Sequence, residues 1–336
     1  MRFIGRCIFV ATVLSLLGAG FAAATFPGKN GKISINLFVE DDETLKIFTT
    51  TPFGSPARLV TDFGEGVNSL FSDWSPDGEK LAIDTDRSGQ PQIWVVNPDG
   101  SRARQLTDVA AGAFDPAWTP DGKTLAIDTD FGDGPGIFLI PARTRDGAFV
   151  TRDQAQRVTL VTEGGFDSEP QVSPNGRWIV FTRYSAECAG ETPEACETRI
   201  FRVRTNGKKL QQLTGVALHA SAPDYHPSGR WIAFDTGDNQ TAPNVGHIVV
   251  MRPDGSGKRI IVRGDSDDFF NNPSFSPDGQ KVAFTRFAAD QEDSVPRIWT
   301  AKADGRNPRQ LLDSPTGDNK ADWGPAPHGH HHDDKH

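Results

Sequence analysis

The chain has 336 residues and a formal charge of −9, with 34 Gly and 24 Pro against 2 Met and 3 Cys. A net excess of carboxylates disfavours nucleic acid and anionic membrane as partners of the surface as a whole. It suits cations, basic partners or simple solubility. Length alone allows two average domains, but internal repeats overrule that expectation.

Arg2 and Arg6 precede an apolar stretch from Cys7 to Gly20, and Ala22-Ala23-Ala24 is a small-residue cleavage site. Residues 1–24 therefore read as a secretory signal peptide cleaved near Ala24, too short in its apolar core to be a membrane span. A secreted or periplasmic location follows, and nothing later in the chain approaches a transmembrane segment.

Trp74-Ser-Pro-Asp-Gly-Glu-Lys-Leu-Ala-Ile83 is the stretch on which the remainder is patterned. Pro presets φ and Gly accepts the positive φ of a tight turn, so an aromatic strand end, a turn and an alternating strand follow one another. The motif returns as Trp118-Thr-Pro-Asp-Gly, Val172-Ser-Pro-Asn-Gly, Tyr225-His-Pro-Ser-Gly and Phe275-Ser-Pro-Asp-Gly. These openings are spaced by 44, 54, 53 and 50 residues, the length of a four-stranded propeller blade. Gln92–Val96 and Arg104–Thr107 read as the third and fourth strands of the first copy. At the chain ends, Asp322-Trp323-Gly324-Pro325 starts a sixth motif that Pro27–Ile35 completes, with outer strands near Leu45–Thr49 and Ala57–Thr61. The expected fold is all-β: a six-bladed β-propeller over residues 26–325, closed by pairing of the terminal strands, which removes exposed sheet edges.

Propeller geometry sorts loops onto two faces. The motif turns and the turns between strands three and four share one face and are short. Loops between strands two and three lie on the other, and three adjacent blades are lengthened there, at 184–198, 237–246 and 287–296. Pro141–Ala155 is an insertion on the turn face. Loops that gather insertions are where repeat scaffolds carry binding, although neutral drift in tolerant loops gives the same pattern. Cys188 and Cys196 close a short polar loop in the third blade. In an exported chain this pair reads as a disulfide, and with no His in the loop it makes a poor metal site.

Candidate binding residues stand three before each motif aromatic, at the channel mouth: Asp115, Glu169, Asn272 and Lys320, with Asp267 and Asp268 nearby. After the apolar core of each second strand come Asp84, Asp128, Asp235, Thr182 and Thr285. Two readings are open. Such a ring can hold a channel cation such as calcium, or its members can satisfy backbone groups in every blade. The propeller holds only His219, His226 and His247, which form no obvious cluster. No nucleophile elbow, His-Glu-x-x-His run or phosphate-cradling loop is present, so no catalytic residue is nominated. The tail carries His328, His330, His331, His332 and His336, a tract able to bind a transition metal or to serve as a disordered, solubilising end.

The aromatic-Ser-Pro-Asp-Gly motif, its Ile-Ala-Phe-like strand and the following Ile-Trp-Val-x-x-Pro-Asp-Gly resemble the repeats of TolB-type propellers of the periplasmic Tol-Pal system. The resemblance covers nearly the whole chain after the leader. It implies partner binding over a propeller face. Similar repeats occur in prolyl-oligopeptidase-like peptidases and oligogalacturonate lyases. This sequence has no hydrolase segment of the former and only scattered His for the metal centre of the latter. It also departs from TolB, which carries an α/β domain before its propeller. The expected function is an exported, monomeric scaffold that binds a protein or other cell-envelope partner, with no nucleic acid, no membrane insertion and no required cofactor. The alternative is a propeller enzyme acting on a small molecule or polysaccharide with a cation in the channel.

Overall fold

The structure, a computed structural model, describes residues 26–54, 56–145, 147–161, 164–189, 196–237, 246–265, 268–288, 295–312, 314 and 317–327. The expected signal peptide, Asp267 and the histidine tail (His328, His330, His331, His332 and His336) lie outside the described residues.

Six four-stranded antiparallel sheets form the ring. Blade one comprises β4 (Ser69–Trp74), β5 (Leu81–Thr85), β6 (Gln92–Val96) and β7 (Arg104–Gln105). Blade two follows with β8 (Ala113–Trp118), β9 (Thr124–Thr129), β10 (Gly136–Pro141) and β11 (Gln156–Arg157). Blade three has β12 (Phe166–Val172), β13 (Trp178–Tyr184), β14 (Thr198–Arg204) and β15 (Gln211–Gln212). Blade four has β16 (Ala220–Tyr225), β17 (Ile232–Thr236), β18 (His247–Met251) and β19 (Arg259–Val262). In blade five the strands are β20 (Asp268–Phe275), β21 (Lys281–Ala288), β22 (Arg297–Lys302) and β23 (Arg309–Gln310). Blade six joins the chain ends: β24 (Asp318–Pro325) lies beside β1 (Asn30–Val39), then β2 (Thr44–Thr50) and β3 (Arg58–Leu59). Ile33 stands opposite Trp323, as the sequence required.

The motif turn is built by its own side chains. In the first copy the Gly78 N–H donates to the Ser75 carbonyl at 2.8 Å, and Gly78 has φ of 70°. Ser75 Oγ accepts the Lys80 N–H at 2.9 Å, while Asp77 accepts the Glu79 N–H at 3.0 Å. Ser276, Asp278 and Gly279 repeat this arrangement in blade five. Such local bonds fix the hairpin register before any tertiary contact forms.

Blades are held by what lies between them. Each of the six apolar clusters draws on two neighbouring blades. Ala117, Ile137 and Val158 of blade two meet Ile179, Phe181 and Val203 of blade three. Leu81, Ala82 and Ile83 are all fully buried although they are consecutive, because both faces of each sheet are covered by a neighbour. A single blade cannot bury its faces alone. Phe26 is also buried, in the cluster that contains Trp118 and Ile127 of blade two.

The loops fall as sorted. The long insertions follow β13, β17 and β21, and residues 142–155 separate β10 from β11. Cys188 and Cys196 are joined as a disulfide, with Cα atoms 4.4 Å apart.

Trp323 is fully buried at the closing seam, packed with Ile33, Ile35 and Ile298. Trp323→Ala should lower the unfolding free energy by about 3–5 kcal/mol in urea denaturation. A loss below about 1 kcal/mol would mean that the terminal strand does not close the ring.

Candidate functional site

The first strands of successive sheets contact one another around the whole ring, so β4, β8, β12, β16, β20 and β24 line the axis. Their pairing with the second strands slips in every blade, for example between Phe114 and Ala117, Ser168 and Gln171, and Asn271 and Ser274. The position three before the motif aromatic falls inside this slip. Asp115, Glu169, Ala222, Asn272 and Lys320 hold positive φ there, between 42° and 58°. A bulge of this kind re-aims a side chain and frees its amide from the ladder.

The freed amides find acceptors, most of them across a blade boundary. Asp84 accepts from Phe71 in its own blade at 2.8 Å and from Asp115 in the next at 3.3 Å. Asp235 accepts from Asn272 at 2.9 Å, and Thr285 Oγ1 accepts from Lys320 at 3.2 Å. Blade three carries Thr182 at the equivalent place, and there Glu169 accepts the Ala222 N–H at 2.7 Å. Thr182 and Tyr184 both donate their hydroxyls to Glu169, the latter at 2.7 Å. Asp84, Asp235 and Thr285 thus satisfy backbone groups, as one of the two readings of the repeated Asp and Thr expects, whereas Thr182 donates to Glu169.

The axial charges are buried together. Asp84, Asp115, Asp235 and Glu169 are each 3% exposed or less, and Lys320 is 6% exposed. Burial pushes Asp84 up to about 8, with repulsion from Asp115 adding to it. It pushes Glu169 to about 8 and Asp235 to about 7. Asp115 and Asp128 are raised for the same reason. Burial lowers the Lys320 pKa, against the attraction of Asp115, Asp84 and Glu169. Its ammonium sits 4.2 Å from the centre of the Phe71 ring, a cation–π contact. A positive group is thus supplied to the carboxylates by the chain itself. Among the described residues, no three His, Cys, Asp or Glu side chains gather so as to hold a metal ion.

The structure therefore brings Asp115, Glu169 and Lys320 together and places Asn272 in the same ring, 3.4 Å from the Asn319 side chain. Asp268 stands apart at the loop-face end of β20, in a two-pronged pair with Arg286 at 2.8 and 2.9 Å. Asp167 and Arg183 repeat that pair in blade three. Beside each, an aromatic pair is stacked: Phe269 on Phe287 at 4.5 Å and Phe166 on Tyr184 at 4.6 Å. His226 lies in its turn and His247 opens β18, where its Nδ1 accepts the Gly264 N–H at 3.0 Å. His219 holds positive φ in the linker before β16, so the three His remain dispersed.

A second set of inter-blade bonds was missed from sequence. The residue just before a motif aromatic reaches the backbone of the next blade's aromatic. Asp73 accepts from Trp118 at 2.6 Å, Asp224 from Phe275 at 2.7 Å, and Asp322 from Trp74 at 3.0 Å. Ser274 does the same for Trp323 at 3.2 Å. The signal was present as an Asp repeatedly standing before the aromatic of the motif.

Ring and axis together define a closed six-bladed propeller with a buried polar centre. Its particular likeness is to TolB. The structure of TolB from Acinetobacter baumannii matches with a TM-score of 0.66 and 19% identity, over 94% of this chain and 70% of that one. A putative TolB from Agrobacterium tumefaciens matches with 0.56 and 20%, over 88% and 99%. An oligogalacturonate lyase in complex with manganese matches with 0.55 and 14%, over 86% and 75%. At these identities the fold is what is shared, and the expected TolB-like propeller is the fold found. By sequence, an uncharacterized protein of Agrobacterium fabrum is 28% identical over 135 residues, 38% of this chain and 43% of that protein. The Tol-Pal system protein TolB of Zymomonas mobilis is 34% identical over 79 residues, 24% and 16% of the two chains. The chain thus spans less than half the length of these curated relatives. No family model matches it.

The raised axial pKa values link folding to pH. Asp84 and Glu169 lose their protons near 4 when unfolded but keep them to about 8 when folded. The folded state therefore binds more protons in between, and stability falls as pH rises through that window. Lys320, depressed from 10.5, works in the opposite sense. Urea denaturation from pH 5 to 9 should show this decline, about 1.4 kcal/mol per pH unit for each proton involved. Glu169→Gln should make the slope shallower by up to one proton, and an unchanged slope would remove Glu169 from the linkage.

Proposed function

We propose that the protein is an exported propeller scaffold that binds a protein or other cell-envelope partner over one face. The observation that carries this reading is the hydrogen bonding of the axis. Asp84, Asp235 and Glu169 are engaged with the backbone of neighbouring blades, and Lys320 lies on Phe71 among them. Groups committed in this way to holding the ring are poor candidates for binding or converting a substrate. The face loops are then what distinguishes one blade from another. Three of them, in blades three to five, are long, and one is cross-linked by Cys188 and Cys196.

TolB-like fold neighbours and the curated match to a Tol-Pal system protein support an envelope role. The predicted leader supports export, and among the described residues no helix is long and apolar enough to cross a membrane. The alternative reading, an enzyme with a channel cation, draws on the fold shared with a manganese-bound lyase. Against it stands the internal ammonium of Lys320.

The test is recovery of partners from the native host. Wild-type protein should retain a specific partner that is reduced several-fold by charge reversal at Glu187 and Asp290, both on the elaborated loops, together with Asp267 in the linker before β20. Equal recovery with the loop variant, or no specific partner at all, would contradict the proposal.

A further inference from the structure

The turns of blades three to five carry Arg177, Arg230, Arg252, Lys258, Arg259 and Lys302, all exposed. The carboxylates on those same turns are engaged locally. Asp254 accepts the Ser256 N–H and hydroxyl, Asp278 accepts the Gln280 N–H, and Asp304 pairs with Arg306. Within a chain of net charge −9, this face is a local basic field.

Its cations are ordered by aromatic rings. In the Gly-Arg-Trp of blade three, Trp178 lies under Arg202 at 4.4 Å and Arg204 at 5.2 Å. In that of blade four, Trp231 lies under Arg259 at 5.5 Å and Arg252 at 6.0 Å. A guanidinium beside an indole still offers N–H groups at its edge to a carboxylate; Arg202 already donates to the Gln211 side chain at 3.1 and 2.9 Å. Beside Trp231 a cavity of about 320 Å³ opens between the turns of blades four and five, lined by His226, Phe275, Gln280, Arg259, Lys302 and Asp304, the last paired with Arg306. The His226 ring forms one wall, edge-on to Phe275 at 4.8 Å, with its Nε2 3.0 Å from the Gly279 carbonyl oxygen.

We infer that this turn face is a second interaction surface, and that it takes an acidic polypeptide segment with one carboxylate side chain entering the recess between Arg259 and Lys302. A recess sized for a side chain fits a peptide better than a bilayer. The exposed large apolar side chains among the described residues of this surface over blades three to five are Leu210 and Ile260. Trp178 and Trp231 are covered by arginines, and the exposed aromatics of the turn face, Phe149 and Phe53, stand away from the recess in blades two and six. This inference is independent of the loop-face reading and concerns the opposite side of the disc.

The test is fluorescence anisotropy of a labelled oligoglutamate peptide with the full-length protein. Binding should be saturable and should weaken as salt is raised. The double variant Arg259→Glu/Lys302→Glu should bind at least about tenfold more weakly, given two lost charge-assisted contacts. Arg263→Glu makes a charge reversal half as large at the loop-face end of blade four and should bind as the wild type does. Arg259, Lys302 and Arg263 are exposed, so the variants should fold. The inference is overturned if the double variant binds as tightly as wild type, if Arg263→Glu is equally weakened, or if wild type shows no saturable binding. It is also overturned if wild type binds phosphatidylglycerol vesicles and not the peptide.

Discussion

The ring depends on side-chain oxygens that accept backbone N–H groups from the next blade. Adjacent sheets of a propeller are not hydrogen-bonded to each other through their ladders, and the apolar clusters between them are non-directional. The directional element comes from Asp73, Asp224 and Asp322 at one level and Asp84, Asp235 and Glu169 at another. Each fixes the height and rotation of one blade against its neighbour. The bond from Trp74 to Asp322 joins blade six, in which the two chain ends pair, to blade one, by the device also found between blades one and two and between blades four and five.

Two consequences follow for function. The bulges that release amides for these bonds also turn acidic residues toward a buried axis, and the resulting repulsion is relieved by retained protons and by Lys320. An axis organised in this way is a structural element with a chemical cost, paid where no solvent competes. The surfaces outside the axis are the two faces, and the turn face of blades three to five carries a cluster of exposed cations.

Much of the fold was legible in the sequence because the motif is local. Ser75, Pro76, Asp77 and Gly78 make their own turn, and the same four positions recur at a blade-length period, so blade count, strand order and loop sorting follow from spacing. The split motif at Trp323 and Ile33 gave the seam, and the Cys188–Cys196 loop gave the disulfide. The axial residues were also located, since they stand in register with the motif. Their bonding was not legible, because the backbone partners mostly belong to another blade. Trp118 and Asp73 are 45 residues apart, and Ala222 and Glu169 are 53 apart. The basic turn face was hidden as well, because an acidic total masks charges that segregate only once the strands alternate direction.

The most direct measurement is native-state hydrogen exchange of the amides that cross blade boundaries: Trp74, Trp118, Ala222, Asn272 and Phe275. If these bonds hold the ring, the five amides exchange only through global unfolding, at the rate shown by the Ile83 amide in the centre of β5. Exchange at least about a hundredfold faster than Ile83, through local opening, would show that the blades are held by apolar contact alone.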